Sequence, residues 1–168
     1  MNRKVLCDTN VWLDYYIGAR KGHKTALQLI REGIRNDVAF MVPASCLGDF
    51  FYLCQADFKK ALKAVYGEIG ESQGLAAQEG AWANLAHLLD LATVVGADHG
   101  DAYIALKHRA IHGDFEDDLV IAAALRSDAD CLVTDDEKLR RNSPVQTLTA
   151  EEALAFLGLG DNTSGGVP

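Results

Sequence analysis

Aspartates follow short apolar segments at two distant places in this chain. Asp8 comes directly after the apolar residues 5–7, and Asp135 and Asp136 come shortly after a second apolar run at residues 131–133. In open α/β sheets, ligands bind beyond the carboxyl ends of the strands, so we expect these acids to lie close together. Carboxylate oxygens are the ligands that hard divalent cations prefer. The pattern therefore indicates a metal site, although any one of these acids could instead serve as a turn or capping residue.

Two predicted helices carry further acids. Asp49 lies on a helix that follows a short apolar strand at residues 38–42. Four acids precede or begin the nearly all-apolar segment 119–125, and they are Asp114, Glu116, Asp117 and Asp118. A capping role explains Asp114, and the helix dipole explains Glu116. These two roles explain Asp117 and Asp118 less well, because removing a carboxylate from water next to a buried segment costs free energy. Adjacent helical residues point about 100° apart, so one of the two faces the site, and we predict that it is Asp117.

Strand-like and helical segments alternate along the chain, which predicts an α/β fold with a parallel sheet. The periodicity predicts helices at residues 24–34, 57–69, 82–91, 101–110 and 149–157. Asn10 is predicted to cap the first helix, Ser45 the helix that carries Asp49, and Thr149 the last helix. Several glycines between residues 67 and 80 predict the loosest internal stretch of the chain.

Composition predicts a single globular domain. The chain has 168 residues, of which 49% are hydrophobic and 24% are charged, enough to bury a core without disulfides. We assign residues 1–158 to this domain and residues 159–168, which are rich in glycine, to a flexible tail. No apolar run approaches the roughly 20 residues that span a bilayer, and the N-terminus does not resemble a signal peptide. We therefore expect a cytoplasmic protein that does not contact membranes.

The cysteines and histidines do not form a recognisable zinc motif. The four cysteines are not paired in CxxC spacing, and three have apolar neighbours; they are Cys7, Cys46, Cys54 and Cys131. Zinc requires clustered Cys and His ligands, whereas the five histidines are scattered. We therefore predict that the cysteines are reduced core residues, with a zinc site as the sharper alternative.

The formal net charge of −8 argues against indiscriminate binding to nucleic acid. Basic residues nevertheless cluster locally, as at Arg20, Lys21 and Lys24, which follow the Asp8 helix and are predicted to flank its site and to bind the substrate. A second cluster lies on a later helix with no apparent link to the acids, and it comprises Lys59, Lys60 and Lys63. Such clusters are usually solvated faces. An acidic protein that acts on a polyanion would recruit it better as a pair of subunits, so we predict a homodimer.

Three motifs together resemble a PIN domain, and they occur in the order and spacing of that family. The first is Asp8-Thr9-Asn10, the second is Asp117-x-Leu-x-x-Ala, and the third is Thr134-x-Asp136 after an apolar strand. The resemblance covers about residues 4–157 and is closest to single-domain bacterial members such as the VapC-type toxins.

This resemblance implies a three-layer α/β/α fold with a central parallel sheet of four or five strands. It also implies a ribonuclease site that uses Mg²⁺ or Mn²⁺. Position by position, Asp8, Asp117 and Asp136 match the family's first, third and fourth acids, which bind the metal. Asn10 and Thr134 match polar residues that support them. Asp49 matches the second acid, which in this family is usually a glutamate, a side chain one methylene longer than aspartate.

The function that the resemblance implies is endoribonuclease activity as the toxin of a toxin-antitoxin pair, with RNA as substrate and an antitoxin protein as partner. Bacterial members of the family commonly pair, which agrees with the predicted homodimer. Two alternatives stay open. A PIN-like module without catalysis would act as a binding or scaffold protein, as the shorter Asp49 suggests. A phosphohydrolase of the haloacid dehalogenase type also begins with an aspartate after its first strand, but it needs a second aspartate where this chain has Asn10.

Overall fold

A computed structural model describes residues 2–109, 113–141 and 143–159. Within these ranges the chain forms five strands and eight helices. In chain order they are β1 (Lys4–Cys7), α1 (Thr9–Tyr16), α2 (His23–Arg35), β2 (Ala39–Pro43), α3 (Cys46–Tyr66), α4 (Glu71–Leu91), β3 (Thr93–Val95), α5 (His99–His108), α6 (Phe115–Arg126), β4 (Cys131–Val133), α7 (Glu137–Arg141), β5 (Thr147–Leu148) and α8 (Ala150–Phe156). The predicted alternation of strands and helices is confirmed.

The strands form one parallel sheet in the order β3-β2-β1-β4-β5. The central strand β1 pairs with β2 on one side, where Val5 lies opposite Phe40, and with β4 on the other, where Cys7 lies opposite Val133. The chain leaves β1 toward one edge of the sheet and later returns to the other side through β4. The carboxyl ends of β1 and β4 therefore lie side by side at the point where the strand order reverses, which is where α/β proteins form their sites.

Helices cover the sheet on both faces. Successive residues of a strand point to opposite faces, yet consecutive residues of β1, β2 and β4 are buried. Such uninterrupted burial is typical of parallel sheets enclosed by helices. The predicted three-layer α/β/α architecture with a parallel sheet of up to five strands is confirmed.

The predicted starts of two helices, at residues 57 and 82, were wrong. Helix α3 runs without a break over 21 residues, whereas we had predicted a separate helix at residues 57–69. The segment at residues 54–56 contains neither glycine nor proline, so nothing in the backbone interrupts the helix. The stretch predicted to be the loosest is in large part the first half of α4.

Glycine within α4 serves its packing against α3. A Cβ atom at Gly80 would lie 2.9 Å from the ring of Phe58, so the missing side chain makes room for that ring. Nothing lies within 4 Å of the corresponding position at Gly74. Packing against α3 thus holds as a helix a segment whose glycines disfavour helix formation.

The first helix begins two residues earlier than predicted. Asp8, rather than Asn10, is the N-cap of α1, and its carboxylate accepts a hydrogen bond from the Thr9 N–H. Ser45 occupies the N-cap position of α3, but its side chain makes no capping hydrogen bond. Two other predicted caps are confirmed: Asp114 caps α6, and Thr149 caps α8.

The remaining structural expectations concern the cysteines and the chain end. All four cysteines are buried and unbonded to one another. Leu159, the first residue of the predicted tail, is buried against the core, and residues 160–168 lie outside the described residues. Across the described part of the chain, no helix combines the length and apolarity that crossing a membrane requires.

Candidate functional site

Asp8 lies at the centre of the sheet, between the end of β1 and the start of α1. Its carboxylate accepts hydrogen bonds from the Thr9 N–H at 2.6 Å and from the Thr134 hydroxyl at 2.9 Å. Loss of hydration raises the pKa of Asp8, and the charge of Asp136 adds to this effect. The two hydrogen bonds lower the pKa but do not cancel the increase. Asp8 is therefore a carboxylate whose negative charge is only partly compensated by the protein.

Thr134 joins Asp8 to Asp136. It follows β4 and is completely buried, and its hydroxyl donates to Asp8 while accepting the Asp136 N–H at 3.1 Å. A hydroxyl can perform both roles at once. The Asp136 carboxylate in turn caps the start of α7 through the N–H groups of Lys138 and Leu139. The loops after two neighbouring strands thus hold Asp8 and Asp136 next to each other.

Asp49 and Glu116 face each other across the same region. Asp49 lies in the first turn of α3, and Glu116 lies in the first turn of α6. Loss of hydration raises the pKa of Glu116 to about 7, helped by a hydrogen bond with the Asp49 carboxyl and by the charges of Asp49, Asp114 and Asp8. The hydrogen bond between the two carboxyls, together with the nearby negative charges, favours the protonated form of Glu116.

Glu116 is a residue that the sequence analysis missed as a site candidate. We had assigned it to the helix dipole, a role that its position in the first turn of α6 also allows. The lengths of two side chains, Asp49 and Glu116, were the signal in the sequence that could have identified it. Asp49 is one methylene shorter than the glutamate usual at its position, and Glu116 is one methylene longer than an aspartate, so it reaches Asp49 from the opposite helix.

Asp117 and Asp118 occupy different environments on α6. Asp117 is half-buried in the first turn, next to Glu116, whereas Asp118 has an exposed fraction of 0%. Asp8 is linked electrostatically to Asp136 and to Glu116, and Glu116 is linked to Asp49 and Asp114. The assignment of Asp117 as the third acid stays a prediction.

The donor atoms of this cluster suit a hard divalent cation. Asp8, Asp49, Glu116 and Asp136 all offer carboxylate oxygen, and loss of hydration, with a contribution from neighbouring carboxylates, raises the pKa of Asp8 and Glu116. Within the described ranges, no three acidic, histidine or cysteine side chains already stand in an arrangement that would hold a metal ion. Mg²⁺ needs only one or two protein carboxylates because it keeps several of its waters. The cluster therefore fits such an ion in chemistry and in charge.

Arg20, predicted to bind substrate, is instead engaged with protein groups. Its guanidinium donates to Asp14 at 2.6 Å, to Asp57 at 3.3 Å and to the Asn10 side chain at 3.2 Å. Burial lowers the pKa of Arg20, but the hydrogen bond and charge of Asp14 outweigh this effect and raise it. Arg20 thus connects α1 to α3, the helices that follow Asp8 and carry Asp49.

The other residues predicted around the site are exposed. Lys21 and Lys24 both have solvent-exposed side chains near the start of α2. Asn10, predicted to support the acids, is exposed in the first turn of α1 and contacts the guanidinium of Arg20. Through Arg20 it is linked to Asp14 rather than to Asp8.

Comparison with known protein families gives one match. The sequence profile of the PIN domain matches residues 4–138 of this chain. No curated protein sequence matches the chain significantly.

Two solved structures have a similar fold. The first is VapBC2 from Rickettsia felis bound to a DNA fragment from their promoter, with a TM-score of 0.57 and 12% identity over 87% of this chain and 98% of that chain. The second is VapC20 from Mycobacterium tuberculosis, described as a Sarcin-Ricin loop cleaving toxin, with a TM-score of 0.56 and 16% identity over 80% of this chain and 92% of that chain. At this level of identity, the similarity is one of fold.

Proposed function

Because this chain belongs to the PIN domain family, we propose that it is a divalent-metal-dependent endoribonuclease and the toxin of a toxin-antitoxin pair. The observation that carries the proposal is the cluster of acids beyond the carboxyl ends of β1 and β4. Asp8 and Asp136 meet there through the buried Thr134, and Glu116 and Asp49 share a hydrogen bond nearby. The VapC20 structure, described as that of a Sarcin-Ricin loop cleaving toxin, lends support at the level of fold.

In this proposal Asp8, Asp117 and Asp136 hold Mg²⁺ or Mn²⁺, and Asp49 acts with Glu116 at the edge of the site. Such an ion, when bound, lowers the pKa of a water molecule and offsets negative charge on the leaving oxygen of a phosphodiester. Thr134 fixes the orientation of Asp8 through its hydroxyl and aligns the backbone of Asp136.

The direct test is RNA cleavage by the Asp8→Asn variant. Asparagine keeps an oxygen that can accept from the Thr9 N–H but loses the negative charge, so cleavage should fall about 100-fold or more. Asp37→Asn is the matched control because it removes the same charge from an exposed residue before the amino end of β2. Asp37 has a φ of 56°, a conformation that asparagine tolerates, so this variant should cleave like the parent.

The outcomes also separate the alternatives. A parent protein that binds RNA tightly but does not cleave it with Mg²⁺ or Mn²⁺ would favour the scaffold function. Hydrolysis of p-nitrophenyl phosphate without RNA cleavage would favour the phosphohydrolase of the haloacid dehalogenase type. Equal loss of cleavage in Asp8→Asn and Asp37→Asn would contradict a specific role for Asp8.

We further propose that the chain pairs with a second copy and binds an antitoxin. The long hairpin of α3 and α4 exposes several large apolar side chains, among them Tyr52, Tyr66 and Trp82. Exposed apolar patches mark interaction sites, and we propose that these side chains contribute to one. Sedimentation at micromolar concentration should give the mass of a dimer, and a monomeric mass with full activity would contradict the pairing.

A further inference from the structure

A cavity of about 1080 Å³ opens beside the acid cluster. One wall is the segment between α1 and α2, which contributes Ile17 and Lys21, and the other is α3, which contributes Phe58 and Lys60. Asp135, the neighbour of Asp136, also lines it. Arg20, another lining residue, donates to Asn10 in the first turn of the helix that Asp8 caps, which links the cavity to the region of the acids.

The charges in this cavity are divided between its floor and its rim. On the floor, Arg20 lies between the carboxylates of Asp14 and Asp57, so its charge is used within the protein. On the rim, Lys21 and Lys60 are solvent-exposed and come from opposite walls. In addition to the paired Arg20, the cavity therefore presents two lysines to an entering polyanion.

The walls between these lysines are largely apolar. Ile17 and Phe58 belong to the hydrophobic core or pack against it, and Ala61 continues the α3 wall. Proteins that bind single-stranded RNA combine basic groups for the backbone with apolar or aromatic surfaces for unstacked bases. The cavity combines basic side chains with apolar walls.

We propose that this cavity is a subsite for single-stranded RNA, with Lys21 and Lys60 contacting backbone phosphates and the apolar walls receiving one unstacked base. The inference rests on the proposed ribonuclease function and assigns the nucleotide next to the scissile phosphate to this cavity. It also links Lys60 to the acids, a connection that the sequence did not predict because α3 was divided into two helices.

Binding of a fluorescein-labelled single-stranded RNA, measured by anisotropy in EDTA, tests the subsite without cleavage. Lys21→Glu and Lys60→Glu should each weaken binding about fivefold or more, and each should reduce the slope of log K against log salt by about 0.7. Arg31→Glu and Lys63→Glu are matched controls because they make the same charge change at exposed basic residues of α2 and α3 that do not line the cavity. The controls should stay within about twofold of the parent.

Equal weakening by all four variants would overturn the subsite, because it would reduce the effect to overall charge. Duplex RNA that competes as well as the single strand would also overturn it, since a duplex cannot place an unstacked base in the cavity. The same measurements distinguish failure of the subsite from failure of the proposed ribonuclease function. A parent protein that binds RNA through Lys21 and Lys60 but never cleaves it keeps the subsite and loses the ribonuclease assignment.

Discussion

Replacing Arg20 with glutamine should destabilise the protein substantially. The side chains of Arg20 and Asp14 have exposed fractions of 29% and 11%, and their closest atoms, Nε and Oδ1, are 2.6 Å apart. Breaking a buried pair costs about 3 to 5 kcal/mol, and an exposed pair contributes about 0.2 to 1 kcal/mol. The partial exposure of Arg20 places this pair between the two cases, so we expect a loss of about 2 to 3 kcal/mol. Most of the cost is the carboxylate of Asp14 left without its cation.

Urea denaturation in EDTA at pH 7 measures this loss, which corresponds to a fall in Tm of roughly 4 to 12 °C for a chain of this size. Lys21→Gln is the control because it removes the neighbouring positive charge from an exposed side chain, and it should change stability by less than about 0.5 kcal/mol. The double variant with Asp14→Asn should recover part of the loss, since the uncompensated charge is then gone.

Two results would refute this reasoning. A loss below about 1 kcal/mol in Arg20→Gln would mean that the ion pair behaves as an exposed one. A double variant that loses the sum of the two single losses would mean that Arg20 and Asp14 contribute independently.

Three other predictions concern the acids and the α3–α4 hairpin. Mg²⁺ or Mn²⁺ at about 100 times its dissociation constant should stabilise the protein by about 2.7 kcal/mol, measured as a rise in Tm. Asp8→Asn should lose most of this rise without lowering apo stability, since the pKa of Asp8 is already raised. In EDTA, the free energy of unfolding should fall as pH rises from about 4.5 to 7, because the folded protein holds a proton on Glu116 that the unfolded chain releases. In the Glu116→Gln variant, the urea midpoint should depend less on pH over this range. Gly74→Ala should stabilise α4 by about 0.5 to 1 kcal/mol, whereas Gly80→Ala should gain less or lose stability, because its Cβ would lie 2.9 Å from an α3 ring.

Each of these predictions has a contradicting result. A large loss of apo stability in Asp8→Asn would make that residue structural rather than a metal ligand. A pH dependence unchanged by Glu116→Gln would assign the titration to another group. Equal gains in Gly74→Ala and Gly80→Ala, by thermal denaturation, would show that the α3 ring moves aside at little cost.

The sequence by itself determined the sheet and the meeting of two acids. Apolar runs of strand length separated by helical periodicity predicted a parallel sheet, and the carboxyl ends of parallel strands lie at one edge. Asp8 and Asp136 each follow such a run, so their proximity follows from topology alone. The caps at Asp114 and Thr149 were also predictable, because capping depends on residues within one turn of each other.

Only the tertiary structure decided which side chains of the helices face the site. Periodicity defines the apolar stripe of a helix, but its rotation about its own axis depends on the elements packed against it, and one residue of difference turns a side chain by about 100°. This is why Glu116 was missed. Arg20 lies in the segment between α1 and α2, and its ion pairs with Asp14 and Asp57 depend on how α3 packs against that segment. The continuity of α3, which brings Lys60 to the same cavity as Lys21, likewise depends on packing between helices that are separate in sequence.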